Sequence, residues 1–232
     1  MASSGHTVKA FDHDLDQLRA LISQMGGLAE NAIRESMRCL TQRDCEGARQ
    51  VVEDDAKLDV LEAEAERKVV QLIALRAPMA DDLREAVAAL KIAGVVERIG
   101  DYAKNIAKRV RQMENASDIE PISLLPEMAR IAAEMVHNAL DAFVARDAAK
   151  AQAVCERDRV VDDFYNSIFR ALLTFMMENP QRITQSAHLL FVAKNLERIG
   201  DHATNVAEMV YFAATGERLA ERQKGLDPST GK

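Results

Sequence analysis

The acidic pentapeptide ERIGD occurs twice, at Glu97–Asp101 and at Glu197–Asp201. In each copy the glutamate and the aspartate are four residues apart, and an asparagine follows four residues later, at Asn105 and at Asn205. On an α-helix this spacing places the side chains above one another on one face. Donor sets made only of oxygen favour hard or borderline cations such as Mg²⁺, Mn²⁺, Ca²⁺ or iron. The pattern therefore indicates cation binding by carboxylates.

A second acidic pair precedes each pentapeptide and is also spaced by four residues. Like charges one helical turn apart repel each other, and a bound cation removes that penalty. Two such pairs on consecutive antiparallel helices could converge on metal ions. The predicted metal ligands are Asp55, Asp59, Glu97 and Asp101 in the first copy, and Asp158, Asp162, Glu197 and Asp201 in the second, with Asn105 and Asn205 as weaker candidates.

Three other interpretations of the acidic residues stay open. They could be solvated surface residues paired with the neighbouring cations Arg98, Lys104, Lys108 and Arg198. The chain could be a structural adaptor whose acidic faces bind basic partners without metal. It could also be a ferritin-like di-iron protein, because Glu134 and His137 form a Glu-x-x-His spacing, although such sites need two and the sequence has one.

Helical periodicity predicts which elements position these residues. On the third predicted helix the apolar side chains fall on one stripe. The stripe is formed by Ile92, Val96, Ile99, Ala103, Ile106 and Val110. Glu97 and Asp101 face away from it, whereas Asp55 and Asp59 lie at the rim of the apolar stripe of the second helix, a placement that Asp158 and Asp162 repeat.

Apolar periodicity and breaks at Pro78, Pro180 and between Asn115 and Pro126 divide the chain into six helices. The predicted helices lie near 8–43, 46–76, 80–114, 122–146, 148–178 and 182–214. The predicted fold is all-α, with two tandem three-helix bundles made of six antiparallel helices and related by an internal repeat. The predicted domains are residues 1–116 and 117–215, followed by a disordered tail over 216–232.

Composition restricts the class of function. The chain has 232 residues and a formal charge of -7, which opposes a role in nucleic-acid binding. The start of the chain lacks the apolar core of a signal peptide, and the longest strongly apolar run, 171–177, is too short to span a bilayer. The three cysteines, Cys39, Cys45 and Cys155, have no zinc-like spacing and are predicted to be reduced thiols of a cytoplasmic protein. No nucleophile elbow or phosphate-binding glycine loop occurs, so we do not expect an enzyme.

Several segments together resemble the PhoU family over residues 6–214. They are FDHDLDQLRALISQMGGLAENAI from Phe11, DDAKLDVLE from Asp54, PMADDLREAVAALKIAGVVERIGD from Pro78, and the two ERIGD segments, which look like the E(D)xxxD motifs of that family. The resemblance implies a negative regulator of phosphate uptake and of phosphate-starvation signalling. Its implied partners are the ATPase of the phosphate ABC transporter and the phosphate-sensing histidine kinase. A homodimer is also expected, with membrane association only through partners.

The resemblance further implies multinuclear metal clusters on the bundle surface, held by the motif carboxylates and containing Mg, Mn, Fe or Zn. The two copies differ in ways that make equal occupancy doubtful. Tyr102 stands where the second copy has His202, and the segment Pro78–Arg84 has no clear counterpart after Pro180.

Overall fold

The computed structural model describes residues 4–114 and 120–219, and these residues form helices without any strand. The helices are α1 (Ser4–Gln42), α2 (Cys45–Asp54), α3 (Ala56–Arg76), α4 (Asp81–Val110), α5 (Leu125–Ala145), α6 (Ala148–Glu178) and α7 (Ile183–Thr215). Short 3₁₀ turns cover Arg111–Met113, Glu120–Leu124 and Pro180–Arg182. The predicted all-α class and the repeated three-helix unit are confirmed. The predicted tail lies outside the described residues from position 220 onward.

The second helix of the first unit differs from the prediction, because Asp55 interrupts it and separates α2 from α3. The backbone of Asp55 stays helical, with φ -58° and ψ -33°, so the interruption is local. The corresponding helix of the second unit, α6, runs without a break past Asp158. The interruption therefore marks one of the predicted metal ligands in the first unit only.

A repeated Arg-Asp pair forms the connection between the first two helices of each unit. Arg43 and Arg146 have positive φ values of 55° and 53°, which end the preceding helices. Asp44 then accepts a hydrogen bond from the backbone N–H of Gly47, and Asp147 accepts one from that of Lys150. These are N-cap bonds that start α2 and α6. The same two residue types thus form the same turn in both units.

Helices α4 and α7 pack side by side at the centre of the molecule, with α1 against α4 and α5 against α7. Helices α1 and α5 also pack on each other, α3 lies against α1 and α4, and α6 lies against α5 and α7. Tyr102 and His202 meet where α4 contacts α7, with ring centroids 5.2 Å apart. The apolar stripe predicted on α4, from Ile92 to Val110, is fully buried in this core.

A buried charge cluster connects the two units away from the acidic motifs. Glu85 on α4 is buried and accepts a hydrogen bond from Arg19 Nε on α1 at 2.9 Å. Arg146, between α5 and α6, also contacts the Glu85 carboxylate. Burial and the neighbouring Arg19 lower the pKa of Arg146. One carboxylate therefore pairs with cations from both halves of the chain.

Two further sequence predictions concern the class of protein. Cys39 is buried, Cys45 and Cys155 are partly exposed, and in the described part of the chain these three cysteines form no disulfide. Over residues 4–114 and 120–219, none of the helices has both the length and the hydropathy that a bilayer-crossing segment needs.

Candidate metal centres

The first acidic cluster consists of Asp55, Asp59, Glu62, Glu97 and Asp101, and it lies where α3 packs on α4. Close helix packing at Gly100 brings these residues together. A Cβ atom at Gly100 would lie 2.3 Å from Leu58 Cδ1 and 3.5 Å from Asp55 Oδ1. The missing side chain lets α3 approach α4. Asp55 is therefore buried, whereas the sequence predicted a position at the rim of the apolar stripe. The glycine of ERIGD thus has a structural role in forming the cluster.

The electrostatics of Glu97 reflect the charges of the other three predicted ligands of the first unit. Burial and, after it, the negative charges of Asp101, Glu62, Asp59 and Asp55 together raise the pKa of Glu97 to about 7. Such a carboxyl group is costly to ionise without a nearby cation. The cluster has the charge that would attract a metal ion.

Glu62 is a member of the cluster that the sequence interpretation missed. Burial first, and then Glu66 and Asp59, raise its pKa. A Cβ at Gly94 would lie 3.1 Å from Glu62 Oε1, so the backbone of α4 approaches this carboxylate closely. The sequence could have identified Glu62 by its position seven residues after Asp55, because this spacing places both side chains on one face of a helix.

A lysine of the same helix pair lies inside the first cluster. Lys104 Nζ donates a hydrogen bond to Asp101 Oδ1 at 2.6 Å and another to Asp55 Oδ2. Burial alone would lower the pKa of Lys104, but the hydrogen bonds to Asp101 and Asp55 outweigh it and raise that pKa. The ion pairing that the sequence left open is therefore present for Lys104.

The second acidic cluster consists of Asp158, Asp162, Glu197 and Asp201, and it lies between α6 and α7. Asp158 is only 1% exposed, again deeper than the predicted rim. A Cβ at Gly200 would lie 3.2 Å from Asp158 Oδ1, so this glycine repeats the role of Gly100. The repeat therefore preserves both the acidic residues and the close packing that buries the first aspartate.

Glu197 is the most enclosed motif glutamate, with a side chain 12% exposed. Its Oε1 accepts a hydrogen bond from Lys194 Nζ at 3.0 Å, whereas Oε2 is buried and has no hydrogen-bond partner within the described residues. Burial raises the pKa of Glu197, Lys194 opposes this shift, and Asp201 and Asp162 add to it. A buried carboxylate oxygen without a donor is a position where a cation would be stabilised.

The donor types and their enclosure fit an oxygen-preferring cation, but the side chains are not arranged as a ready ligand set. In the described part of the chain, no three His, Cys, Asp or Glu side chains are placed to hold one ion. Metal binding would require rotation of the carboxylates, and in the first cluster it would also require Lys104 to leave Asp55 and Asp101. Asn105 is half-buried, while Asn205 is exposed and lines a cleft of about 680 Å³ with Asp201 and His202.

The Glu-x-x-His pair lies on α5, away from both clusters, and faces α1. Arg130 and Arg157 contact the Glu134 carboxylate, and His137 Nδ1 lies 3.2 Å from Glu30 Oε1. His137 Nε2 is 3.5 Å from Asp141 Oδ2. These residues form an exposed ion-pair network, so the structure gives no support to the ferritin-like alternative.

We expect the metal-free protein to lose stability as pH rises through 7, because of Glu97. Its folded-state pKa of about 7 exceeds the ordinary value of 4.5. The folded protein therefore binds more protons than the unfolded chain between those values. The stability from this group is complete below 4.5 and is lost as pH rises through about 7. Melting curves in a chelator from pH 5 to 8.5 should fall less steeply with pH for Glu97→Gln than for the wild type; equal slopes would contradict the assigned environment of Glu97.

Comparisons with known proteins agree with the internal repeat and with the helical fold. The PhoU domain family matches the chain twice, over residues 22–110 and 125–210. A protein of Zymomonas mobilis named phosphate-specific transport system accessory protein PhoU homolog is 57% identical over 96% of this chain and 94% of its own length. A protein of Caulobacter vibrioides with the same name is 47% identical over 96% of this chain and 97% of its own.

Solved structures show the same architecture. The crystal structure of PhoU from Pseudomonas aeruginosa superposes with a TM-score of 0.86 at 34% sequence identity, covering 89% of this chain and 100% of that chain. The phosphate transport system regulatory protein PhoU from Streptococcus pneumoniae gives 0.85 at 25% identity, over 91% and 100%. Both units match the domain family and the relatives align over nearly the whole chain, so this protein belongs to the PhoU family.

Proposed function

We propose that this chain is an accessory regulator of phosphate-specific transport that restrains phosphate uptake and phosphate-starvation signalling. The observation that carries the proposal is the double PhoU-domain match, which covers both bundles, together with relatives named as accessory proteins of that transport system. Near-complete alignment in both directions supports a shared role for the whole chain.

In this proposal the protein acts by binding and not by catalysis. Its partners are the ATPase of the phosphate ABC transporter and the phosphate-sensing histidine kinase, which it holds in the inhibitory mode when phosphate is plentiful. The protein is cytoplasmic, forms a homodimer and reaches the membrane through these partners. A formal charge of -7 supports protein partners over nucleic acid.

Metal ions complete the proposed function by binding to the two acidic clusters. Asp55, Asp59, Glu97 and Asp101 would hold one site, and Asp158, Asp162, Glu197 and Asp201 would hold the other. Bound Mg, Mn, Fe or Zn would supply positive charge that neutralises the clusters and links α3 to α4 and α6 to α7. The support is the set of raised carboxyl pKa values and the buried Oε2 of Glu197.

Deleting the gene should derepress phosphate-starvation promoters in phosphate-rich medium and relax the control of phosphate import. A promoter reporter and radioactive phosphate uptake measure the two effects, and a plasmid copy of the wild-type gene serves as the control. A deletion strain that keeps the promoters silent and imports phosphate normally would contradict the regulatory assignment.

A metal-free adaptor remains the second candidate, because Lys104 already supplies a positive charge to Asp55 and Asp101. Elemental analysis of tag-free protein distinguishes the two. Stoichiometric metal that copurifies with the chain supports the metal-binding form. A chain that purifies without metal, but whose gene restores repression in the deletion strain, supports the adaptor.

A further inference from the structure

The two acidic clusters differ in the position of their internal lysine. In the first cluster, Lys104 lies three residues after Asp101. Thr204 occupies the equivalent position of the second unit and donates its hydroxyl hydrogen bond to the backbone oxygen of Gly200. In the second cluster the lysine is Lys194, at the position where the first unit has Gly94. The repeat has thus kept the acids and moved the ammonium group.

We propose that Lys104 is the resident cation of the first cluster and that a metal ion binds there only by displacing its ammonium group. This inference rests on the proposed metal binding and identifies the residue that competes with it. The ammonium of Lys104 bridges Asp55 at the α2–α3 junction and Asp101 on α4. A metal ion that linked these two elements through the same carboxylates would need the position that the ammonium holds.

The burial of the bridge makes the lysine a strong competitor. The side chains of Lys104 and Asp55 are 22% and 8% exposed, so water screens their attraction only weakly. Hydrogen bonds between two charged groups are about twice as strong as neutral ones. Because the lysine belongs to the same chain, dilution does not remove it. A metal ion must therefore displace a tethered cation before it can bind both Asp55 and Asp101.

The second cluster places its lysine differently. Lys194 donates to Glu197, one turn further along the same helix, and its ammonium lies 4.9 Å from the centre of the Tyr165 ring. Tyr165 stands where the first cluster has Glu62, as the spacing from Asp162 and Asp59 shows. The buried Oε2 of Glu197 has no hydrogen-bond partner in the described residues. The second cluster thus has its ammonium group beside Glu197 and Tyr165, and it has a threonine where the first cluster has Lys104.

The test uses Mn²⁺ alone, with free Mn²⁺ followed by electron paramagnetic resonance. Glu197→Ala/Asp201→Ala serves as the background, so that only the first cluster can bind. In this background Lys104→Thr, which introduces the residue of the second unit, should lower the Kd for Mn²⁺ about tenfold or more. Lys108→Thr is the matched control, since it removes the same charge one turn further along α4 at an exposed position, and it should leave the Kd within about twofold.

The two levels of the proposal fail in different ways. Suppose that the protein with all its motif acids intact binds Mn²⁺, but that Lys104→Thr and Lys108→Thr change the Kd of the first cluster equally. Lys104 is then no specific competitor, and the inference is wrong. If Mn²⁺ binds neither to the protein with all its motif acids intact nor to the Lys104→Thr single variant of that protein, the metal sites themselves are wrong. Lys104→Met keeps the apolar stem and repeats the test should the threonine variant fail to fold.

Discussion

Replacing Glu85 with alanine should destabilise the protein by about 3 kcal/mol, since removing one member of a buried ion cluster leaves the remaining charges unpaired. The Glu85 side chain is 6% exposed, and its partners Arg19 and Arg146 are 18% and 51% exposed. The cost comes mainly from Arg19, which is the more enclosed of the two cations. For a chain of this size we expect the Tm to fall by about 6–12 °C.

Asp81→Ala is the matched control for this prediction. Asp81 also pairs with an arginine, Arg84, at 2.6 Å, but its side chain is 82% exposed. Exposed pairs contribute little, so this variant should melt within about 2 °C of the wild type. Thermal unfolding followed by circular dichroism measures both variants. Similar melting temperatures for Glu85→Ala and Asp81→Ala would show that the buried cluster does not connect the two halves energetically.

The sequence could not have revealed this cluster. Arg19, Glu85 and Arg146 come from three distant segments, and the residue equivalent to Glu85 in the second unit is Gln185, so no repeat draws attention to it. By contrast, the apolar stripe from Ile92 to Val110 followed from helical periodicity alone and is buried as predicted. Periodicity describes one helix at a time, whereas ion clusters depend on which helices meet.

The same distinction explains the candidate metal centres. The repeated ERIGD pattern identified Glu97 and Glu197, and the structure places both among other carboxylates. A helical wheel put Asp55 and Asp158 at a rim, yet both are buried, because Gly100 and Gly200 let the neighbouring helix come close. Helix separation depends on the size of residues on the partner helix, which a single-helix wheel does not include.

Metal should stabilise the wild-type protein far more than a variant that lacks the second cluster's motif acids. A metal ion that binds only the folded state adds about 2.7 kcal/mol when its free concentration is one hundred times its Kd. In Glu197→Ala/Asp201→Ala the second cluster loses its motif glutamate and aspartate, so this contribution should disappear. Neither residue belongs to the apolar stripe of α7, and we expect the metal-free variant to fold, with a Tm close to that of the metal-free wild type.

The decisive comparison is the metal-induced change in Tm, which excludes any difference between the metal-free proteins. Glu156→Ala/Asp163→Ala removes two exposed acidic residues from α6 and serves as the control for nonspecific charge effects. With excess Mn²⁺, Mg²⁺ or anaerobic Fe²⁺, this control should keep the wild-type shift, whereas Glu197→Ala/Asp201→Ala should lose most of it. Equal shifts in all three proteins under every metal would mean that the second cluster holds no ion. In that case the buried Oε2 of Glu197 would need a protonated carboxyl group and not a cation, which its raised pKa allows.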